Sequence, residues 1–224
     1  AYEITTRLVG SGDVYKRQLL RLLAETQIPK VFLDTSSLVA PDELNGDLLL
    51  MESRTSVRRI PSHLLEQGRT LPGFMGDIGY AQSNRERYEG FCQALADAGK
   101  KVDSSLCLTT PLGIDTYREE IDTFLSSLSR MPDAFVCASD YVACILMQLL
   151  EKRGLRVPED VAVSGFDNNT EDLLAEHLTT VQVFNEELGA RLALQILYRI
   201  KYPNTPHEIT YLGTNVLYRD STGD

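Results

Sequence analysis

Three aspartates lie where an α/β protein would hold a ligand. Asp34, Asp140 and Asp167 each come within three residues of the end of a short apolar run that is predicted to be a strand. Ligands of open α/β sheets bind beyond the carboxyl ends of the strands, so these carboxylates could line one cleft. An aspartate in this position is also a good N-cap for the next helix. A helical pattern starts at Asp140, which favours a cap there, whereas none directly follows Asp167, which favours a ligand group.

Arg87 is the candidate cation for such a cleft. It lies in the first turns of a helix predicted to open at Ser83, because residues 83–86 have the Ser-x-x-Glu form of a capping box. A guanidinium presents a rigid fork of donors, which suits a carboxylate or two neighbouring hydroxyls. The alternative is a solvent-exposed arginine paired with Glu86 or Glu89, and the spacing alone favours that alternative.

The sequence shows no catalytic constellation. The three histidines are scattered, and the four cysteines have neither CxxC nor metal-ligand spacing. We expect the cysteines to be reduced residues of the core, because free cysteine behaves as a small buried hydrophobe. The residue pattern therefore predicts a polar binding cleft and neither an enzyme nor a cofactor or metal site.

The elements that must position these residues follow an alternating pattern. Short apolar runs alternate with stretches of 3.6-residue periodicity, which predicts an α/β fold with parallel sheets flanked by helices. The predicted strands are 4–9, 30–33, 47–51, 71–75, 106–109, 134–138 and 161–164. The predicted helices cover about 55–67, 83–98, 116–130, 140–153 and 186–201.

Two prolines and one helix face carry more specific expectations. Pro61 inside the first predicted helix implies a late start or a kink. Pro72 in the strand at 71–75 implies an edge position or a bulge. The last helix is predicted to bury its apolar stripe, which consists of Leu188, Leu192, Ile196 and Ile200.

Composition limits the partners of the chain. Its 224 residues include 22 basic and 32 acidic ones, giving a net charge of −10, which argues against a nucleic-acid surface made by this chain alone. There is no apolar run of the ~18 to 20 residues that span a bilayer, and no signal peptide is recognisable. We therefore expect a cytoplasmic protein without membrane contact.

An ordered series of motifs runs through residues 19–222. In the second half these are Pro132-Asp133-Ala134, Ser139-Asp140-x-x-Ala143, Gly154-Leu155-Arg156-Val157-Pro158-Glu159-Asp160-Val161, Gly165-Phe166-Asp167-Asn168, Leu178-Thr179-Thr180-Val181, Glu187-Leu188-Gly189 and Tyr218-Arg219-Asp220-Ser221-Thr222. Upstream lie His63-Leu64-Leu65-x-x-Gly68 and Ser83-x-x-x-Arg87-x-x-Gly90-Phe91. This series resembles the effector-binding region of the LacI/GalR family of bacterial transcription regulators.

The resemblance implies two α/β lobes like those of periplasmic sugar-binding proteins, with a small effector in the cleft between them. It places effector contacts at Asp34, Ser83, Arg87, Ser139 and Asp167, and an apolar wall of the cleft at Met51. A sugar is the first effector class expected, and a nucleobase or another small metabolite stays open. The resemblance thus favours the ligand interpretation of Arg87 and leaves Asp140 as a cap.

The resemblance also implies a domain organisation. We expect a partial first lobe formed by residues 1–51 and 185–205, and a second lobe formed by 52–184 and 206–224. The helix-turn-helix domain of the family has no counterpart in this sequence, so DNA binding is expected only through such an N-terminal domain. We expect a homodimer formed through the second lobe. The alternative function is a transport-type sugar-binding protein without a regulatory role, and an enzyme ranks third.

Overall fold

The computed structural model describes residues 13–37, 39–113, 115–168 and 176–224 and confirms the α/β class. The strand predicted at 4–9 lies outside the described residues. The helices are α1 (Asp13–Glu25), α2 (Arg54–Glu66), α3 (Gln82–Asp97), α4 (Tyr117–Ser127), α5 (Asp140–Lys152) and α6 (Asn185–Lys201). The strands are β1 (Val31–Leu33), β2 (Asp47–Met51), β3 (Pro72–Met75), β4 (Cys107–Leu108), β5 (Ala134–Cys137), β6 (Ala162–Ser164), β7 (Thr180–Gln182), β8 (Ile209–Leu212) and β9 (Asn215–Leu217).

The chain divides into two compact units. Unit 1 comprises Ala1–Glu52, Gly79–Ser83 and Phe184–Gly213, and unit 2 comprises Ser53–Ile78, Asn84–Val183 and Thr214–Asp224. Two of these boundaries lie within one residue of the predicted lobes. The division differs from the prediction at residues 79–83 and 206–213, which belong to unit 1 and not to the second lobe. Strand β8 lies in the second of these segments and pairs with β2.

Unit 1 contains a three-stranded parallel sheet in the order β1-β2-β8. Its central strand β2 is a continuous apolar run after Asp47, as expected for a parallel strand covered on both faces. One apolar cluster of this unit consists of Val39, Leu44, Leu48 and Leu50, against which Leu20 and Phe32 pack.

Helix α6 of unit 1 buries a polar face. Gln195 and Arg199 are 5% and 3% exposed, whereas Ile200 is 59% exposed, so the predicted burial of Ile200 is wrong. The buried partner of both side chains is the Asp47 carboxylate, which accepts from Gln195 Nε2 at 2.6 Å and pairs with the Arg199 guanidinium. The backbone amide of Glu208 donates to the same carboxylate at 3.0 Å. The face of α6 is thus set by an ion pair that periodicity does not reveal.

Unit 2 contains a four-stranded parallel sheet in the order β4-β3-β5-β6 and a small antiparallel pair formed by β7 and β9. Successive residues of β5 alternate between two apolar clusters, since Phe135 and Cys137 belong to one cluster and Ala134 and Val136 to the other. The first cluster includes residues of α4 and α5, and the second includes residues of α2 and α3. The sheet is therefore covered by a pair of helices on each face.

All four cysteines lie in unit 2 as free thiols. Cys137 and Cys144 are buried in the first apolar cluster, and Cys92 and Cys107 are half-buried. Burial raises the pKa of the Cys107 thiol to about 11 and that of the Cys137 thiol well above its ordinary value. The predicted core placement is confirmed for Cys137 and Cys144.

The structure bears on both proline expectations. Helix α2 begins at Arg54 and carries Pro61 in its interior, so the late start is wrong and the alternative, a kink, stays a prediction. Ile60 and Leu64 are fully buried beside Pro61, and this packing offsets the hydrogen bond that proline removes. Strand β3 is interior and keeps a continuous register with β5 from Pro72 onward, so neither an edge nor a bulge is present there. Pairing with β4 starts only at Phe74, beyond the residue that lacks an N–H.

Among the described residues, no helix is both long enough and apolar enough to cross a membrane.

Candidate functional site

Arg87 is a buried cation of unit 2. It projects from α3, is 5% exposed, and donates from Nη1 to the carbonyl oxygen of Ala138 at 2.5 Å and to Asn84 Oδ1 at 3.3 Å. Its guanidinium carbon lies 3.6 Å from the centre of the Phe166 ring, a cation–π contact. The alternative of an exposed arginine is therefore wrong, and Glu89 pairs instead with Arg54.

Asp167 lies beside this guanidinium. Its Oδ1 atom is 3.8 Å from Arg87 Nη2, and its side chain stays 44% exposed. Surrounding protein atoms raise the pKa of the Asp167 carboxyl above its ordinary value, and the positive charge of Arg87 opposes that rise. The site thus presents a carboxylate that solvent can reach, next to a guanidinium fixed by a ring and a carbonyl.

The backbone at Asp167 is unusual. Asp167 and Asn168 have φ angles of 113° and 52°, so two successive residues other than glycine occupy the left-handed region. The Asp167 amide donates to the Val181 carbonyl at 2.9 Å, and the Asn168 amide donates to Thr180 Oγ1 at 3.2 Å. The amides of both residues are thus held by hydrogen bonds to Thr180 and Val181.

Ser139, and not Asp140, is the N-cap of α5. The Ser139 hydroxyl accepts from the Val142 amide at 3.3 Å, so the cap interpretation of Asp140 is wrong. Asp140 is the first helical residue, is 3% exposed, and accepts from Thr180 Oγ1 at 2.6 Å. A Cβ atom on Gly165 would lie 2.2 Å from Asp140 Oδ1, which explains glycine at that position. Asp140 is accordingly a structural carboxylate.

Unit 1 carries a second polar group. Asp34 follows β1 with φ 60°, and its carboxylate accepts from the Thr35 amide at 2.7 Å and from the Ser83 hydroxyl at 2.5 Å. Helix α3 begins at Gln82, so Ser83 lies inside the first turn and is not the N-cap, contrary to the capping-box prediction. Met51 is the last residue of β2 and is half-buried.

The structure thus brings four of the six predicted site residues together as two pairs. Asp34 contacts Ser83 in unit 1, and Arg87 approaches Asp167 in unit 2. The Ser139 hydroxyl accepts its hydrogen bond from Val142 of α5 and not from another predicted site residue. Phe166 and Asn84 support Arg87 and are not predicted from the sequence. Phe166 stands inside a recognised motif, but no spacing rule connects it to a side chain 79 positions earlier.

The chemistry of these groups is that of binding. Within the described ranges, no group of three or more His, Cys, Asp or Glu side chains could hold a metal ion. A guanidinium donates and a carboxylate accepts, so the Arg87–Asp167 pair can hold a ligand with neighbouring hydroxyls or with a complementary donor and acceptor.

Known proteins share this sequence pattern and this fold. The family described as "Periplasmic binding protein-like domain" matches residues 62–222. The HTH-type transcriptional regulator DegA of Bacillus subtilis (strain 168) is 30% identical over 173 residues, which are 76% of this chain and 49% of DegA. The chain therefore spans about half the length of this curated relative.

Two solved structures show the fold. The complex of the transcriptional regulator CelR with cellobiose has a TM-score of 0.76 at 23% identity and covers 94% of this chain and 71% of CelR. A LacI-family regulator from Enterococcus faecium with bound ribose has a TM-score of 0.69 at 21% identity and covers 92% of this chain and 84% of that one. The family match and the DegA relationship show that the chain belongs to the LacI/GalR family and corresponds to its effector-binding region.

Proposed function

We propose that this chain binds a small hydroxylated effector, a sugar in the first instance, and that effector binding regulates transcription by the whole protein. The observation that carries the proposal is the buried Arg87, held on the Phe166 ring with the accessible Asp167 carboxylate 3.8 Å away. Burying a charged side chain is costly unless it is partnered, so such an arrangement points to a functional role.

A sugar suits these groups for a chemical reason. Neighbouring hydroxyls each donate and accept, so a carboxylate and a guanidinium can together satisfy one pair. Two proteins of the same fold are described with bound cellobiose and bound ribose. A nucleobase offers a different pattern of donors and acceptors and is the second effector class to be tested.

The remaining predicted contacts belong to the same proposal. Asp34, Ser83 and Met51 in unit 1 and Ser139 in unit 2 stay predicted effector contacts. The cleft position of the effector likewise stays a prediction of the family resemblance. The proposed role is binding and not catalysis, and it places the chain in the cytoplasm, where a bacterial regulator meets its DNA.

The proposed regulation is a shift between two conformations. An effector moves such an equilibrium only by the difference of its affinities for the two states. DNA binding is proposed to reside in an N-terminal domain of the whole protein, as in the family. The family membership favours this role over the alternative of a transport-type binding protein.

A homodimer through unit 2 is part of the proposal. Tyr141, in the first turn of α5, is 59% exposed and packs edge-on against Tyr117 at the start of α4, with 5.6 Å between ring centres. Exposed aromatic side chains are enriched in protein interfaces. Sedimentation should show concentration-dependent dimers that Tyr141→Asp weakens, and a strict monomer at high concentration would contradict this part.

A thermal-shift screen against a panel of sugars and nucleosides tests the central proposal. A bound ligand stabilises the folded state by RT ln(1 + [L]/Kd), so a ligand at 100 times its Kd adds about 2.7 kcal/mol. We expect at least one sugar to raise the unfolding temperature. If only nucleosides raise the unfolding temperature, the effector is a nucleobase compound and not a sugar.

Calorimetry on variants then tests the site. Asp167→Asn and Arg87→Lys should each weaken binding of that sugar by about tenfold or more, which corresponds to about 1.4 kcal/mol. The matched control is Arg156→Lys, because Arg156 forms an exposed pair with Asp160 away from these groups. Unchanged affinity in both site variants would refute the role of the pair.

A further inference from the structure

Arg219, near the end of the chain, holds the turn that carries Asp167. Its Nη2 atom donates to Asn168 Oδ1 at 2.8 Å, and its Nη1 atom donates to the Leu178 carbonyl at 3.0 Å. Asn168 directly follows Asp167, and Leu178 lies just before β7. One planar guanidinium therefore connects the Asp167 turn to the strand region beside it.

The backbone of Arg219 is anchored independently of its side chain. Its amide donates to Thr179 Oγ1 at 2.7 Å, and the following Ser221 hydroxyl donates to the Val163 carbonyl at 2.6 Å. Ser221 and Thr222 are 2% and 1% exposed. The guanidinium thus extends from a fixed point of the structure, so replacing the side chain leaves that anchor in place.

The turn needs such a support. Asp167 and Asn168 both have positive φ angles, and L-residues with a Cβ atom adopt this region only when surrounding contacts enforce it. Asparagine and aspartate tolerate the region better than most residues, and surrounding contacts hold them in it. The Asn168 amide is held by Thr180 Oγ1, and its side chain is held by Arg219.

We propose that Arg219 is a positioning residue of the effector site: through Asn168 it keeps the Asp167 carboxylate beside the Arg87 guanidinium. The expected effect on effector binding rests on the proposed function, since a displaced Asp167 carboxylate would bind the effector less well. Its geometric part stands apart from any ligand, because it concerns where the Asp167 side chain lies in the protein alone.

Carboxyl ¹³C signals test the geometric part. The chain is labelled with ¹³C-aspartate, and the Asp167 signal is assigned by its loss in Asp167→Asn. Its titration is then followed in the wild type, Arg219→Gln and Arg219→Lys. Release of the carboxylate from its surroundings should move its titration midpoint towards the ordinary aspartate value in both variants.

The two variants separate position from charge. Arg219→Lys keeps the positive charge but cannot span both acceptors, whereas Arg219→Gln removes the charge. Loss of a nearby positive charge alone would raise the midpoint in Arg219→Gln and leave Arg219→Lys unchanged. That pattern, or an unchanged midpoint in both variants, would overturn the proposal.

A double-mutant cycle tests whether Asn168 transmits the effect. Asn168→Gly removes the acceptor and adopts the positive φ angle without strain. In this background Arg219→Gln should change the Asp167 midpoint no further, because the connection is already absent. An equal change in both backgrounds would contradict transmission through Asn168. Arg156→Gln is the matched control and should leave the midpoint unchanged.

Calorimetry with D-ribose and cellobiose tests the functional consequence. Arg219→Gln and Arg219→Lys should weaken binding of whichever probe the wild type binds by about three- to tenfold. Unchanged affinity together with a shifted midpoint would overturn the functional part and leave the geometric part. If the wild type binds neither probe, the choice of these sugars is wrong, while the carboxyl titration still decides the role of Arg219.

Discussion

Unit 2 buries apolar side chains on both faces of its four-stranded sheet, whereas unit 1 buries an ion pair beside its three-stranded sheet. Of the described large hydrophobic residues that are exposed, nine belong to unit 1 and two to unit 2. Helix α6 shows the contrast within one element, because Arg199 is 3% exposed while Leu197 is 61% exposed. Unit 1 therefore depends more on a specific polar network, and unit 2 depends more on apolar packing.

Removing one partner of the buried ion pair should give the largest effect. Asp47→Ala leaves the Arg199 charge buried without its carboxylate, which costs about 3–5 kcal/mol. Native-state hydrogen exchange should accelerate in β2 and stay unchanged in β5. The matched control is Asp97→Ala in unit 2, which breaks an exposed pair with Arg58 and should leave β2 unaffected. Equal exchange of β2 in wild type and Asp47→Ala would show that unit 1 does not depend on the ion pair.

Truncation of an apolar side chain should lower the free energy of unfolding much more in α5 of unit 2 than in α6 of unit 1. Leu146 of α5 is fully buried, so Leu146→Ala should cost about 2–5 kcal/mol. Leu197 of α6 is 61% exposed, and Leu197→Ala should stay within about 0.5 kcal/mol. Urea unfolding measures both free energies. Similar losses in the two variants would show that α6 buries Leu197 in solution.

The pH dependence of two carboxyls should give the smallest effect, with opposite signs. Burial of Asp47 opposes its ionisation, but hydrogen bonds from Gln195, Glu208 and Arg199 outweigh this and lower its pKa. Asp47 therefore stabilises the folded state above its unfolded pKa of about 3.9, and this is lost as the pH falls through the lower folded pKa. The raised pKa of Asp167 costs stability above the folded pKa, and this cost disappears on acidification.

Asparagine variants isolate the contribution of each carboxylate charge to stability. At neutral pH Asp47→Asn should be less stable than the wild type and Asp167→Asn more stable, and both differences should shrink as the pH approaches 3. Urea unfolding at several pH values measures the differences. A destabilising effect of both substitutions at neutral pH would contradict the assignment for Asp167.

The sequence predicted the elements better than their buried polar contacts. Strand β2 was predicted with its observed bounds, because an apolar run begins after Asp47 and ends at Met51. Strand β8 was missed, although Ile209 and Tyr211 alternate with less exposed neighbours as in a half-buried strand. Asp47 and Arg199 are 152 positions apart, and only the tertiary fold joins them. The capping-box pattern at Ser83 was misleading because Asp34, from another element, binds that hydroxyl.

The natural cysteines of the chain can report on unit 2 alone. Unit 1 has no cysteine, so any thiol-specific reagent reads unit 2 alone. Burial raises the pKa of the Cys107 thiol to about 11, far above pH 8, so this thiol reacts slowly in the folded unit. Modification rates therefore report the opening of unit 2 without any engineered label. Because the chain also lacks tryptophan, a single tryptophan introduced into unit 1 would give that unit an independent fluorescence signal in the same sample.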